Sequence, residues 1–436
     1  MKIAIIWWWA AGMMAAATIL QNNLQNINKS DNSADINIWK EFKIFLFEKN
    51  NILGAKVRIS WWGRCNLTTG ITNTKELLTK YPRWADFIEY ALRQFTPKSI
   101  YKWFENNGLP LQMQDDMRAF PASNKWSDVV KVFEDIFEQY PENINIYTKT
   151  PINQIKKLDN GNFEIHANDD IYIVDKVIIT TWWSAYGHTG STGDGYDLAG
   201  KSWHSITRLW PSLNSFMLSE ENIYKWLQWL AYPSNIKFLD PDTKQYKYIY
   251  GNVVRTHFGI SGPGIFAVAS HLAHEEIKSD NSADIDNPQN KIYISYLNKS
   301  QEERKSEIEN YISQNLKKQV RTMLSWISSE RLADVIIYIS QIDWLTACWQ
   351  LSKTQKIYIC KLLSEWIPTT IADRSPGDEF VTAWWVKNNE INKKTMESLI
   401  CPWLYFAGEI IDVDGYTWGF NLTSCWASGK LAGLSV

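Results

Sequence analysis

The stretch KIAIIWWWAAGMMAAATIL, residues 2–20, constrains this chain more than any other. Ile3–Ile6 is a short continuous apolar run, the signature of a strand buried on both faces. Ala10–Leu20 carries alanine and methionine in a helical pattern without a charge. Between them, positions 7, 9 and 12 hold Trp, Trp and Gly. Glycine at all three would spell strand–GxGxxG–helix, the dinucleotide-binding fingerprint. Its glycines allow a tight turn, close approach of backbone N–H groups to a pyrophosphate, and close packing of helix on strand. Tryptophan does none of these. At face value the uncharged run behind Lys2 reads instead as a signal peptide or a marginal membrane anchor.

Composition separates the two readings. The chain has 24 Trp against 21 Gly, and Trp outnumbers both Phe (17) and Tyr (20). The tryptophans clump at 7–9, 61–62, 182–183 and 384–385, and single ones stand in CPWLYFAGE at 403 and GYTWGFN at 418. Each lies where turn chemistry asks for glycine. With glycine at these eleven positions the glycine count rises from 21 to 32, about 7% of the chain and the usual level. We read these tryptophans as glycines of the working protein. The codon UGA means tryptophan in some genetic codes and glycine in certain bacterial lineages. Trp39, Trp84, Trp103, Trp210 and Trp344 sit in amphipathic or strand-like surroundings that suit tryptophan. UGG codons at 7–9 would end this reading.

A net charge of −2 gives no electrostatic footprint for nucleic acid or anionic lipid. Five irregularly spaced cysteines fit a reducing cytoplasm. The six scattered histidines form no metal-ligand spacing. A length of 436 residues predicts two or more domains.

Along the chain, FKIFLFEKN (42–50) predicts a second buried strand ending at Glu48, placed for hydrogen bonds to ribose hydroxyls. The octapeptide KSDNSADI occurs at 29–36 and again at 278–285, polar both times, which fits a surface-loop insertion. Residues 74–108 and 116–140 predict helices. Residues 144–181 alternate at period two around an Asn-Gly turn at 160–161 and end in the buried strand KVIITT. Residues 203–260 are strand-rich and 262–366 mostly helical. The last 55 residues return to a buried run, LYFAGEIIDV, and a closing helix. The expected fold is α/β: a discontinuous Rossmann-like domain over 1–194 and 373–436, with a β-rich plus helical domain inserted over 195–372.

KVRISWWGRCNLT (56–68), FPASNKWSDVV (120–130), TTWWSAYGHTGSTGDGY (180–196), THFGISGPG (256–264) and TMESLICPWLYFAGEIIDVDGYTWGFNL (395–422) together resemble the BaiN / aminoacetone-oxidase-like family of bacterial flavoproteins. The resemblance covers nearly the whole chain. That family has glycine at 7–9, 61–62, 182–183, 384–385, 403 and 418, and Trp203 before His204 looks like a further case. The resemblance implies a non-covalent FAD and an oxidoreductase working through the flavin N5, with NAD(P)H as candidate reductant and a small organic substrate. It implies that the backbone around Trp7, Trp9, Ala10, Ala11 and Gly12 cradles the pyrophosphate and that Glu48 binds the adenosine ribose. Lys56, Arg64, Cys65, Asn66 and Thr181 are further candidate contacts, and Ile152 offers backbone to adenine. Gly408 and Glu409 fall near the ribityl chain, and Gly419, Phe420 and Asn421 at the flavin N1–O2 edge. Tyr186, His188 and His257 are the candidates bordering the substrate. The sequence spells out no acid–base set, and the oligomeric state stays open. A flavin-binding component acting with RNA or a protein partner is the second reading, and an exported or membrane-anchored protein the third.

Overall fold

The computed structural model describes residues 1–6, 9–29, 42–54, 63–181, 194–202, 204–206, 210–218, 231–273, 275, 277, 291–295, 299–364, 367–376, 381–383, 386–417 and 419–436. The chain forms two compact units, one of Met1–Pro211 with Phe380–Val436, the other of Ser212–Glu379.

The first unit is built on a five-stranded parallel sheet. Its strands are β1 (Lys2–Ile6), β2 (Lys43–Phe47), β3 (Ile144–Tyr147), β4 (Lys176–Ile179) and β5 (Leu404–Phe406). Their spatial order is β5-β4-β1-β2-β3, and every neighbouring pair is parallel. Residues 3–6, 177–179 and 404–406 are wholly buried, as continuous apolar strands covered on both faces must be. Ile144–Tyr147 departs from the expected meander. It joins the parallel sheet beside β2, while Ile152–Lys157, Phe163–Ala167 and Asp170–Val174 form a separate antiparallel sheet. The run LYFAGEIIDV is strand only to Phe406, because Gly408 turns the backbone to φ +79°.

Helix α1 (Ala10–Lys29) follows β1, and α2 (Phe420–Ser435) closes the chain. Residues 10–20 of α1 and most of α2 are buried on every side, which is the pattern of a core helix. They meet through small residues. A Cβ on Gly429 would lie 2.3 Å from the Ala11 carbonyl oxygen, and one on Gly433 would lie 2.7 Å from that of Ala15.

The second unit holds a closed antiparallel barrel. Its order is Phe216–Leu218, Gly259–Ser261, Tyr246–Arg255, Ala231–Leu239, Lys291–Ser295 and Ile367–Arg374, which pairs back with the first. Strand 246–255 alternates, with Ile249 and Val253 inward and Tyr246, Tyr248 and Tyr250 outward. Helices Gln301–Gln314, Val320–Ile327, Glu330–Ile339 and Lys353–Ser364 lie in sequence between the last two barrel strands. Both copies of KSDNSADI lie outside the described residues apart from Lys29.

The tryptophans divide sharply. Trp426 is fully buried, donates from Nε1 to the Leu67 carbonyl at 3.0 Å and stacks on Phe133, so its indole is used. Trp403 sits at φ +70°, in the left-handed region that a bulky side chain rarely adopts, and is 46% exposed. Trp84, the N-cap of helix Ala85–Gln94, also has a left-handed backbone at φ +54° and is 44% exposed, but its indole is used: Nε1 donates to Asp412 Oδ2 at 2.9 Å. Glycine adopts such a backbone without penalty.

Candidate functional site

The chain begins at β1 in the middle of the sheet, builds β2 and β3 to one side, then returns to place β4 and β5 on the other. In open α/β sheets this reversal leaves a crevice at the carboxyl ends of the two central strands. Here it lies between β1 and β4, where Thr180 donates from N and from Oγ1 to the Ile6 carbonyl, each at 3.1 Å. Trp9 stands at the start of α1, and its carbonyl accepts from Met13 N at 2.8 Å. Ala10, Ala11 and Gly12 are buried in the first turn. A helix N-terminus at this place points N–H groups and the positive end of its dipole into the crevice, the arrangement that binds phosphate. Trp7 and Lys56 lie outside the described residues, as do Tyr186 and His188.

Around this edge the predicted residues fall as follows. Glu48 ends β2, buried, with Oε1 accepting from Asn50 N at 2.7 Å and Asn50 Nδ2 at 2.8 Å. Gly408 follows β5 and donates to Ser428 Oγ at 2.9 Å; a Cβ there would lie 2.7 Å from that of Ala11. Glu409 is buried on the next turn, and with burial its carboxylate holds the Cys425 thiol well above the usual thiol range. Ile152 is buried at the start of its strand.

At the N-terminus of α2, Gly419 is the N-cap at φ +82°, and a Cβ there would lie 3.0 Å from both the backbone and side-chain oxygens of Asn66. Asn66 is 1% exposed, and neither its Oδ1 nor its Nδ2 has a hydrogen-bond partner among the described residues. Thr181, also 1% exposed, leaves its Oγ1 without one. Buried polar atoms are nearly always paired, so unpaired ones mark places where a ligand completes the set. The segment carrying Asn66 is fixed to α2 by Thr68 Oγ1 and Thr423 Oγ1 at 3.0 Å and by the Trp426–Leu67 bond. Cys65 beside it is buried at φ +58°.

Three predicted residues are engaged elsewhere. Arg64 donates to Asn124 Oδ1 from Nε at 2.9 Å and Nη2 at 2.7 Å, and lies 4.2 Å over the Phe120 ring. Asn421 accepts from Gly415 N at 2.7 Å and donates to Gly415 O at 3.1 Å, so its amide shapes the loop ahead of α2. His257 is exposed in the second unit, its ring edge-on to Phe258.

The sequence reading missed the residues that hold that loop. Tyr81 donates to the Phe420 carbonyl at 2.8 Å, and Arg83 pairs with Asp412 and Asp414. The acids of IDVDG directly after AGE were the available signal.

These observations fit a flavin dinucleotide. Asn66 and Thr181 hold buried polar atoms without a partner among the described residues, and Gly408 and Gly419 let the backbone approach Ala11 and Asn66 closely. Among the described residues no group of His, Cys, Asp and Glu could hold a metal ion, and no helix is long and apolar enough to cross a membrane.

Comparison with known proteins adds the following. Residues 1–435 match the HI0933-like protein Rossmann domain family. A 3-dehydro-bile acid delta(4,6)-reductase of Clostridium scindens is 25% identical over 401 residues, covering 90% of this chain and 92% of the relative. A ribosomal RNA dihydrouridine synthase of Haemophilus influenzae is 22% identical over 398 residues, covering 90% and 92%. An open-conformation flavocytochrome c3 fumarate reductase structure aligns with 99% of this chain and 77% of its own, at 13% identity and a TM-score of 0.45.

Proposed function

The chain belongs to the HI0933-like Rossmann family, and from that premise we propose an FAD-dependent oxidoreductase that reduces a carbon–carbon double bond conjugated to a carbonyl group in a small organic substrate. The observation that carries the reading is the buried, unpartnered Asn66 amide against the Gly419 N-cap of α2. The names of the two curated relatives support the substrate class: a delta(4,6)-reductase and a dihydrouridine synthase both add hydrogen across a carbon–carbon double bond.

FAD supplies hydride chemistry at its ring, and the net reaction adds two electrons and two protons to the double bond, with a nicotinamide dinucleotide as electron source. The protein's part is binding and electrostatics. The first turn of α1 would hold the pyrophosphate, Glu48 would accept from the ribose hydroxyls, and Gly408 and Glu409 would flank the ribityl chain. The N-terminus of α2 stabilises negative charge at the pyrimidine edge. Asn66 gives that edge a donor and an acceptor. The tryptophans at 7–9 would fill the pyrophosphate's place, so the reading includes glycine at these positions in the working protein.

The test uses the chain with glycine at the eleven positions. Purified protein is expected to carry flavin and to consume NADPH or NADH when given a 3-oxo-Δ4 steroid or a pyrimidine nucleoside. Flavin present with no turnover on any conjugated carbonyl compound would overturn the substrate class. Absence of flavin would overturn the whole reading.

A further inference from the structure

The loop between Gly408 and Gly419 carries two aspartates that the proposed chemistry does not use. Asp412 and Asp414 are both buried, and between them lies the Arg83 guanidinium, its side chain 8% exposed. Arg83 Nη2 bonds Asp414 Oδ1, and Nη1 lies 3.5 Å from Asp412 Oδ1. Trp84 Nε1 donates to the other Asp412 oxygen at 2.9 Å, and Asn388 Nδ2 donates to the Asp412 carbonyl at 2.9 Å. The same stretch of chain holds the loop twice more: Tyr416 N donates to the Lys80 carbonyl at 2.9 Å, and Tyr81 Oη to the Phe420 carbonyl at 2.8 Å. Residues 80–84 therefore act as a buttress for Asp412, Asp414, Tyr416 and Phe420.

Two carboxylates two residues apart repel each other when both are out of water. Without a cation between them the loop would open or carry a proton. With one, its course is fixed up to Gly419, whose φ of +82° sets where the free N–H groups of α2 point. We propose that Arg83 is a positioning residue for the flavin: it clamps Asp412 and Asp414 so that the loop delivers the N-terminus of α2 and the facing Asn66 in register with the pyrimidine edge of the ring. The inference rests on the FAD reading above. It concerns preorganisation, which acts through affinity and through the environment of the bound ring rather than through contact with the substrate.

The test is made in the glycine-restored chain, by FAD titration and by visible circular dichroism of the bound flavin. Arg83→Met is expected to weaken FAD binding at least tenfold and to change the flavin dichroism, with Arg83→Lys recovering part of both. Arg83→Met takes the guanidinium away from two buried acids and can fail to fold. The variant Arg83→Met/Asp412→Asn/Asp414→Asn removes all three charges together and keeps the side-chain shapes. It is expected to unfold at a temperature near the parent's, yet to bind FAD at least tenfold more weakly. A folded triple variant with parental FAD affinity and parental dichroism overturns the clamp while leaving the flavoprotein reading intact. A parent chain that binds no FAD overturns both.

Discussion

Gly429→Ala and Gly200→Ala are the same chemical change, and the structure gives them opposite signs. In helix α2 a Cβ on Gly429 would lie 2.3 Å from the Ala11 carbonyl oxygen, 2.8 Å from its Cα and 2.9 Å from its carbonyl carbon. Ordinary contact begins near 3.4 Å. All three neighbours are backbone, so nothing can rotate away, and α1 and α2 must separate locally by roughly 1 Å. Forcing a methyl into a packed core destabilises by about 1–3 kcal/mol, and a backbone obstacle belongs at the upper end. Alanine's better helix propensity offsets about 1 kcal/mol of that. The net expectation is a loss of about 2 kcal/mol. Gly200, inside helix Asp194–Lys201, has among the described residues only Ile206 Cγ1 within 4 Å of an added Cβ, at 3.9 Å. There the propensity gain stands alone, and Gly200→Ala should gain about 0.5–1 kcal/mol. Urea denaturation of both variants measures the pair. Because Ala11 is in the first turn of α1, Gly429→Ala should also weaken FAD binding. Equal stability of the two variants would refute the close helix contact and the argument that α2 fixes the N-terminus of α1.

Trp403→Gly relieves a left-handed backbone, worth about 1–2 kcal/mol, and loses an exposed contact with Lys176, whose Nζ lies 4.6 Å from the ring centre. That contact is worth about 0.5–1 kcal/mol, so thermal melting should show a net gain; a loss would mean the indole is needed. Asn66→Ala should lower FAD affinity at least tenfold while leaving the flavin-free protein almost as stable, because the amide it removes is unpaired there; unchanged affinity in a titration would exclude Asn66 from the cofactor site. His204 is buried against Phe406 with Nε2 2.8 Å from Ser398 Oγ, and burial lowers its pKa below the ordinary imidazole value. Below pH about 6.5 the unfolded chain takes a proton that the folded chain resists, so this residue's contribution is present above that pH and is lost as pH falls. Urea midpoints between pH 8 and pH 5.5 should fall more steeply in the parent than in His204→Gln; parallel slopes would contradict the burial.

Much of the first unit was legible because its signals are local. Runs such as IAII, IFLF and VII leave no polar face, so they fit only a sheet covered on both sides. The uncharged Ala/Met-rich pattern at 10–20 announces the start of the first helix, and the small-residue pattern after Gly419 the closing one. The misplaced piece, Ile144–Tyr147, is four residues of alternating character, and its side of the sheet is set by pairing with β2, which periodicity cannot show. Glu48 was read from its place at the end of an apolar strand, and Gly419 from the family resemblance. Arg83 was not, because its role comes from two acids more than three hundred residues away in sequence. Trp84 combines a left-handed backbone with an indole hydrogen-bonded to Asp412, and helical spacing shows neither. The conflict between local residue and required backbone is strongest at the tryptophans, where consistency across levels fails.

The most direct test of the account compares two proteins by visible absorption after purification: the chain as written, and the same chain with glycine at 7–9, 61–62, 182–183, 384–385, 403 and 418. The account predicts about one FAD per chain in the glycine protein and none in the tryptophan protein, because tryptophan at 7–9 cannot supply the tight turn and close backbone approach that a pyrophosphate needs. Stoichiometric FAD in the tryptophan protein, or a well-folded glycine protein that takes up no flavin, would contradict it.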